Sequence, residues 1–123
     1  MGYIAHDAII VTTDADCRPG GLPDINAFRA SLPPPFQPLV IGPVKSIVND
    51  YVSYVFLPDG SKEGWDTSDE GDDCRARFVA LFDQRYEEDG STHDKWVGVR
   101  FGGSAEYGDA AKITGSYEAG VAA

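Results

Sequence analysis

Two short segments carry the residue types best suited to chemistry: the pair His6 and Asp7, and residues 58–66, which read Pro-Asp-Gly-Ser-Lys-Glu-Gly-Trp-Asp. The second segment suits an anion or a nucleotide, because Lys62 supplies a counter-charge, two glycines expose backbone amides and Trp65 offers a stacking surface. It differs from the phosphate-binding P-loop, in which two glycines five positions apart precede Lys-Ser/Thr. Capture of a small anion is therefore one of three uses that these residues allow.

The carboxylates of the two segments allow the other uses. Oxygens from Asp7, Asp59 and Glu63, with the nearby imidazole, would suit a divalent cation, and a small metal-assisted hydrolase would follow from such a site. The third use is a protein contact, in which the indole is the anchor and the surrounding acids steer a basic partner. The residues predicted to bind a ligand or partner are His6, Lys62, Glu63, Trp65, Asp66, Asp69 and Asp72.

No arrangement of nucleophile and base stands out in the sequence. Cys74 lies on an apolar stripe and is expected in the core, and Cys17 has no neighbouring histidine. A triad of the His-Asp pair with Ser61 or Ser104 would lack the strained nucleophile turn and the oxyanion donors that such catalysis needs. We therefore predict no catalytic residues, no bound metal and no cofactor, and favour a binding role over an enzyme.

The charge of the chain excludes two classes of partner. Its 123 residues include 20 acids and 10 bases, which gives a net charge of −10. A nucleic acid or an anionic membrane surface would need a basic patch instead. Twelve of the acids fall between Asp59 and Asp94, against four bases, so the acidity is a local feature of this stretch. It is either an interaction face or a device for solubility.

Cysteine content and hydropathy indicate where the protein works. Two cysteines are too few for a disulfide framework, which makes a reducing compartment the expected one. No apolar run approaches the roughly 18 residues that a membrane-spanning helix needs, and no signal-peptide pattern opens the chain. A cytoplasmic protein is therefore expected.

The periodicity of the apolar residues predicts four strands and two helices. The run Ala8–Val11 is apolar throughout and the run Tyr51–Leu57 is apolar at nearly every position, as is typical of central strands, whereas the other two strands carry lysine or arginine. The predicted elements are, in chain order, a strand over 4–13, a helix starting at Pro23–Asp24 and ending before Pro33–Pro35, a strand over 39–48, an Asn49–Asp50 turn, a strand over 51–57, a helix from a Thr67/Glu70 capping box to about Tyr86, and a strand over 95–101.

This order predicts an α+β fold of the ferredoxin-like βαββαβ type, a four-stranded antiparallel sheet with two helices on one face. Residues 1–103 form this single domain, and residues 104–123 are an extension that is either a short strand at Ala111–Tyr117 or a loose tail. In such a fold the start of the first strand, the loop after the third strand and the start of the second helix meet at one sheet edge. His6 and the loop 58–66 are therefore expected to share a site, with His93 at the opposite edge.

Several blocks of the sequence resemble a group of small proteins encoded by tailed bacteriophages and prophages. The resemblance covers roughly residues 5–101 and is most specific in the block Pro58–Trp65. Similar proteins have His-His and Asn-Gly where this chain has His6–Asp7 and Asn49–Asp50. The resemblance implies a viral origin and expression in a bacterial cytoplasm. The matching blocks are 5–12, 48–51, 58–65 and 68–72, together with Arg75.

The leading hypothesis is therefore a non-enzymatic binding module that acts on a host or defence component. Its partner would be a protein or a small anionic ligand, and a homodimer is possible because sheets of this kind often pair. The alternatives are a small metal-assisted hydrolase and a minor structural protein of the virion.

Overall fold

The computed structural model describes residues 5–18, 20–61, 65–82, 94–102 and 112–115. These ranges contain a single antiparallel sheet, two α-helices and one 3-10 helix. The elements are, in chain order, β1 (Ala5–Asp14), α1 (Ile25–Ser31), the 3-10 helix (Pro34–Leu39), β2 (Val40–Lys45), β3 (Tyr51–Phe56), α2 (Asp66–Phe82), β4 (Lys95–Gly102) and β5 (Lys112–Gly115).

The sheet has five strands in the order β2-β3-β1-β4-β5, which corrects the expected four-stranded ferredoxin-like fold with two helices. Strand β5 pairs with β4 from Val97↔Gly115 to Arg100↔Lys112, so β4 is an internal strand and not an edge. Strand β5 lies within Ala111–Tyr117, so of the two alternatives for this segment, a short strand or a loose tail, the short strand is confirmed. Ile113 is the large apolar residue among its small and polar ones, so the pattern alone does not decide between the two. Four residues of the expected extension therefore belong to the sheet.

The third helical segment lies where a plain connection was expected. Prolines occupy three of the six residues of the 3-10 helix, Pro34, Pro35 and Pro38. The fixed φ of proline, near −65°, falls within the range of a 3-10 helix, and the first turn needs no amide donors. A proline tract that ends one helix can therefore begin another.

One face of the sheet carries the core. Alternate residues of β1 and β3 point towards the helices, and α2 buries Cys74, Phe78 and Phe82, which follow one another at intervals of four residues. This confirms the apolar stripe predicted for that helix. The Phe78 ring contacts the rings of Phe28, Phe56 and Phe82, with centroids 5.2–5.9 Å apart.

The two helices begin differently. Asp24 caps α1, because its Oδ1 accepts a hydrogen bond of 3.0 Å from the amide of Ala27, and the predicted start of this helix is confirmed. Helix α2 starts at Asp66, and the Trp65 carbonyl accepts from the amide of Ser68. The predicted Thr67/Glu70 capping box is therefore wrong, since Thr67 already has helical backbone and does not stand at the N-cap.

A buried ion pair closes the end of the core that is remote from Asp59. Asp94 has no exposed surface, and its carboxylate accepts from Arg18 Nε at 3.2 and 3.3 Å and from the Thr13 hydroxyl at 2.5 Å. The Arg18 guanidinium also donates to the carbonyls of Gly21 and Leu81. These contacts tie the loop after β1 and the end of α2 to the start of β4.

Candidate functional site

Five charged residues converge at the end of the sheet where β1 begins and β4 ends. Antiparallel pairing of β1 with β4 places Asp7 opposite Arg100, and α2 brings Arg75 and Asp72 over this end of the sheet. The loop after β3 adds the carboxylate of Asp59. We call these five residues the arginine–carboxylate cluster: Asp7, Asp59, Asp72, Arg75 and Arg100.

Arg75 is the centre of the arginine–carboxylate cluster. The residue is only 8% exposed. Its guanidinium donates from Nη1 to Asp59 Oδ2 at 3.0 Å and from Nη2 to Asp72 Oδ1 at 2.6 Å. Asp7 Oδ2 lies 3.8 Å from Nη2. Burial alone would lower the pKa of Arg75, but hydrogen bonds to Asp72 and Asp59 and the charge of Asp7 outweigh it and raise the pKa above its ordinary value.

Asp59 is held from both of its oxygens. Oδ1 accepts from the amide of Ser61 at 2.7 Å and from the Ser61 hydroxyl at 2.5 Å, while Oδ2 accepts from Arg75. Burial raises the pKa of this carboxyl, but the donors of Ser61 and Arg75 together have the larger effect and hold the pKa below its ordinary value. The ionised carboxylate therefore fixes the loop after β3 against α2.

Gly71 makes this contact possible, and alanine at this position is expected to destabilise the fold by about 1–2 kcal/mol. Elsewhere in a helix the same change stabilises by about 0.5–1 kcal/mol. Here a Cβ would overlap Oδ2 of Asp59, which Ser61 and Arg75 hold in place. Urea unfolding followed by circular dichroism measures the effect.

The double variant Gly71→Ala/Asp59→Ala is the matched control for this prediction. Without the carboxylate, the closest remaining neighbour of the methyl group is Nη1 of Arg75 at 3.2 Å, the end of a long side chain that can shift. Gly71→Ala should then cost little or stabilise the protein. A destabilisation of equal size with and without Asp59 would contradict the steric explanation.

A cleft of about 510 Å³ opens beside the arginine–carboxylate cluster, between α2 and the strands β1, β4 and β5. Its volume is within the range of small-molecule sites. The indole of Trp96 and the side chain of Val79 supply apolar surface, while Asp7 and Arg100 supply charge. Because Arg100 Nε lies 3.3 Å from Asp7 Oδ1, an anion in the cleft would compete with a carboxylate already present.

The structure separates the predicted site residues into three groups. Asp72 belongs to the arginine–carboxylate cluster, whereas Trp65, Asp66 and Asp69 are at the start of α2, where Trp65 and Asp66 are exposed. The ring of His6 packs against Phe101, with centroids 5.5 Å apart, on the other face of the sheet from α2. Lys62, Glu63 and His93 lie outside the described residues.

Two arginines of the cluster had no place in the sequence-based site. Arg75 follows Cys74 on the buried stripe of α2 and is three residues beyond Asp72. The sequence signal that could have identified it is a basic residue three positions after an acid in an otherwise acidic part of the helix. Arg100 is identified only once β1 and β4 are aligned in antiparallel register.

The carboxylates expected for a metal site face a guanidinium instead. Asp7 and Asp59 both lie against Arg75, so a cation there would compete with a fixed positive charge. Within the described ranges, no group of three or more His, Cys, Asp or Glu side chains is placed to hold a metal ion.

No family model, curated protein or solved structure matches the chain. In the part of the chain that the structure describes, no helix has both the length and the apolar composition to cross a membrane.

Proposed function

We propose that this chain is a non-enzymatic binding module that recognises a basic surface on a partner protein. Its contact surface is the acidic surface of α2. Trp65 stands at its edge with 54% of its area exposed, directly before the first turn of the helix. This surface consists of Trp65, Asp66, Asp69, Glu70 and Asp73.

The exposed indole is the observation that carries the proposal. A large aromatic side chain that is half exposed and directly precedes a helix with several exposed acids matches the usual anatomy of a protein contact, in which an anchor is flanked by charges that steer the partner. The carboxylates lie on successive turns of one helix whose opposite stripe is buried, so they face outwards together. The chain's net charge of −10 strengthens long-range attraction of a basic partner.

A small anionic ligand is the weaker alternative on this geometry. Several carboxylates at the start of α2 would repel an anion from the helix N-terminus. In the cleft, Arg75 and Arg100 already face Asp59 and Asp7. Metal-assisted hydrolysis is also supported less, because Asp7 and Asp59, two of the expected metal ligands, contact Arg75.

The resemblance to proteins of tailed bacteriophages adds the setting of the proposal. The chain would be made in the cytoplasm of an infected bacterium, and its partner would be a component of the host or of its defences. A basic partner of this kind requires neither a catalytic group nor a cofactor on the phage side.

Replacing Trp65 with alanine is expected to weaken partner binding at least about tenfold, as loss of a contact anchor does. The immobilised protein is used to retain proteins from a bacterial lysate at low and at high salt, and the retained partner is then titrated. Asp69→Lys/Asp73→Lys should abolish retention at low salt, because the variant reverses two charges of the acidic surface that steer a basic partner.

Asp50→Lys is the matched control, since Asp50 is an exposed acid in the turn before β3 and not part of the acidic surface. Retention unchanged in this variant, and lost in the others at an equal melting temperature, supports the proposal. The proposal would be overturned if all variants bound the partner equally well. It would also be overturned if no protein were retained at low salt and released at high salt.

A further inference from the structure

The sheet presents a second face that no helix of the described ranges covers. Alternation along each strand places the residues that pair with one another on the same side, and Ile10 on β1 lies opposite Val55 on β3 and Val97 on β4. Ile10 is exposed, Val55 and Val97 are half-buried, and none of the three belongs to the hydrophobic core cluster. We call this side the open face: Ile41 and Val44 of β2, Tyr51, Ser53 and Val55 of β3, His6, Ala8, Ile10 and Thr12 of β1, Val97, Val99 and Phe101 of β4, and Ile113 of β5.

The open face is apolar from one edge of the sheet to the other. Ten large hydrophobic side chains are exposed in the described ranges, and six of them lie on this face. Isolated exposed hydrophobic residues are normal, but a contiguous group of this size marks an interaction surface. The six residues are Ile10, Ile41, Val44, Tyr51, Phe101 and Ile113.

The polar groups in the middle of the open face need no outside partner. Thr12 and Ser53 face each other across β1 and β3, and their hydroxyl oxygens are 2.8 Å apart in a mutual hydrogen bond. Among the described residues, the strand register also places the carboxylate of Asp14 and the ammonium group of Lys95 on this side. Both lie at the end of the face where β4 begins. An apolar surface can therefore cover the centre without burying an unpaired charge.

We infer that the open face binds a second copy of this chain, so that two sheets pack face to face as a β-sandwich. The charge distribution favours a copy as the occupant. The acids of α2, such as Asp69 and Asp73, lie on the opposite side of the sheet, so two molecules that each carry −10 meet through surfaces whose centres hold no acid. A neutral, apolar face can pair with a copy of itself, as a two-fold interface requires.

The size of the open face is sufficient for such a dimer. Five strands about 4.8 Å apart, with about six residues each at roughly 3.3 Å per residue, give a projected area of about 500 Å². Protruding side chains raise the buried area to about 600 Å² per copy, or about 1,200 Å² in total, which is the lower limit for specific stable interfaces. The two inner faces would lie about 10 Å apart, as in other sandwiches of sheets.

The dimer leaves the acidic surface of α2 free on each copy. The helices stand on the outer sides of the two sheets, so the two Trp65 side chains face away from the interface. This inference is independent of the proposed function, because the two surfaces are separated by the thickness of the sheet and core. A protein that dimerises but binds no basic partner would contradict the proposed function alone. A protein that binds a basic partner but stays monomeric would contradict this inference alone.

The oligomeric state tests this inference. Sedimentation velocity over a range of concentrations is expected to show a species of twice the 13.2 kDa chain mass. Ile10→Lys places a charge at the centre of the open face and should raise the dissociation constant at least about a hundredfold. Ile113→Lys, at the edge strand, is the second variant and should raise it at least about tenfold without disturbing the core.

Ile47→Lys is the matched control, because Ile47 is fully exposed in the turn between β2 and β3 and lies off the open face. Dimerisation equal to that of the wild type in this variant and in Trp65→Ala supports the inference. A monomer at every concentration would overturn it, as would a dimer that both open-face variants form as readily as the wild type. Circular dichroism verifies that each variant is folded.

Discussion

Replacing Asp94 with alanine is expected to lower the free energy of unfolding by about 3–5 kcal/mol, the usual cost of breaking a buried ion pair from one side. Asp94 is fully buried and receives hydrogen bonds from Arg18 and Thr13. Without it the guanidinium still donates to the carbonyls of Gly21 and Leu81, but neither acceptor carries the full charge that the carboxylate supplied. Urea unfolding at neutral pH, followed by circular dichroism, measures the loss.

A double variant distinguishes the effect of an unpaired buried charge from the effect of lost side-chain volume. Arg18→Met/Asp94→Leu replaces both charges with apolar groups of similar size and is expected to recover part of the stability, because neither charge is then left unpaired. The recovery is incomplete, since the buried Thr13 hydroxyl loses its acceptor. Asp50→Ala, in an exposed turn, should change the free energy of unfolding by less than about 0.5 kcal/mol. A loss below about 1 kcal/mol in Asp94→Ala would contradict the role assigned to the pair.

The sequence predicted the elements whose pattern is strong. Tyr51–Phe56 and Ala5–Asp14 are rich in β-branched and aromatic residues, and both are internal strands of the sheet. The stripe on α2 recurs at helical spacing. Strand β5 has only four residues with one large apolar side chain, so its existence depends on pairing with β4, which local pattern cannot show.

The candidate site was predictable only to the level of topology. The order of elements predicted that Asp7, the loop after β3 and the start of α2 would meet. Asp7 and the loop residue Asp59 do meet α2, but at Arg75 in the interior of the helix. The face of the sheet was harder to assign. His6 and Asp7 are neighbours in sequence, but consecutive strand residues point to opposite faces, so Asp7 meets Arg75 and His6 meets Phe101.

The open face could not be predicted from the sequence for the same reason. A strand buried on both sides and a strand with one core side and one apolar exposed side have the same composition. The apolar run around Ile10 predicts a central strand, and such a strand can be buried on both faces, yet 45% of the Ile10 surface is exposed. Only the position of the helices shows which of the two cases applies. The apolar excess of the central strands serves the core on one side and, on our inference, a second copy on the other.

Replacing Arg75 with methionine is expected to lower the free energy of unfolding by about 2–4 kcal/mol at neutral pH, because the largely buried carboxylate of Asp59 loses its charged partner. The size of this loss should depend on pH. In the folded wild type the pKa of Asp59 is held below its ordinary value, so the folded state binds fewer protons than the unfolded state between the two values. The stabilisation is present above the unfolded pKa, about 3.9, and is lost as the pH falls through the lower folded value.

The difference in stability between the wild type and Arg75→Met should therefore be largest near neutral pH and shrink in acid. Urea unfolding at a series of pH values from neutral to below about pH 3 measures this difference. Arg77→Met is the control on the same helix: Arg77 is exposed and donates to the Ser31 hydroxyl, so its loss should be small and nearly independent of pH. If the Arg75→Met difference were the same at every pH, the methionine would be acting through packing, and Arg75 would not be the residue that keeps Asp59 ionised against α2.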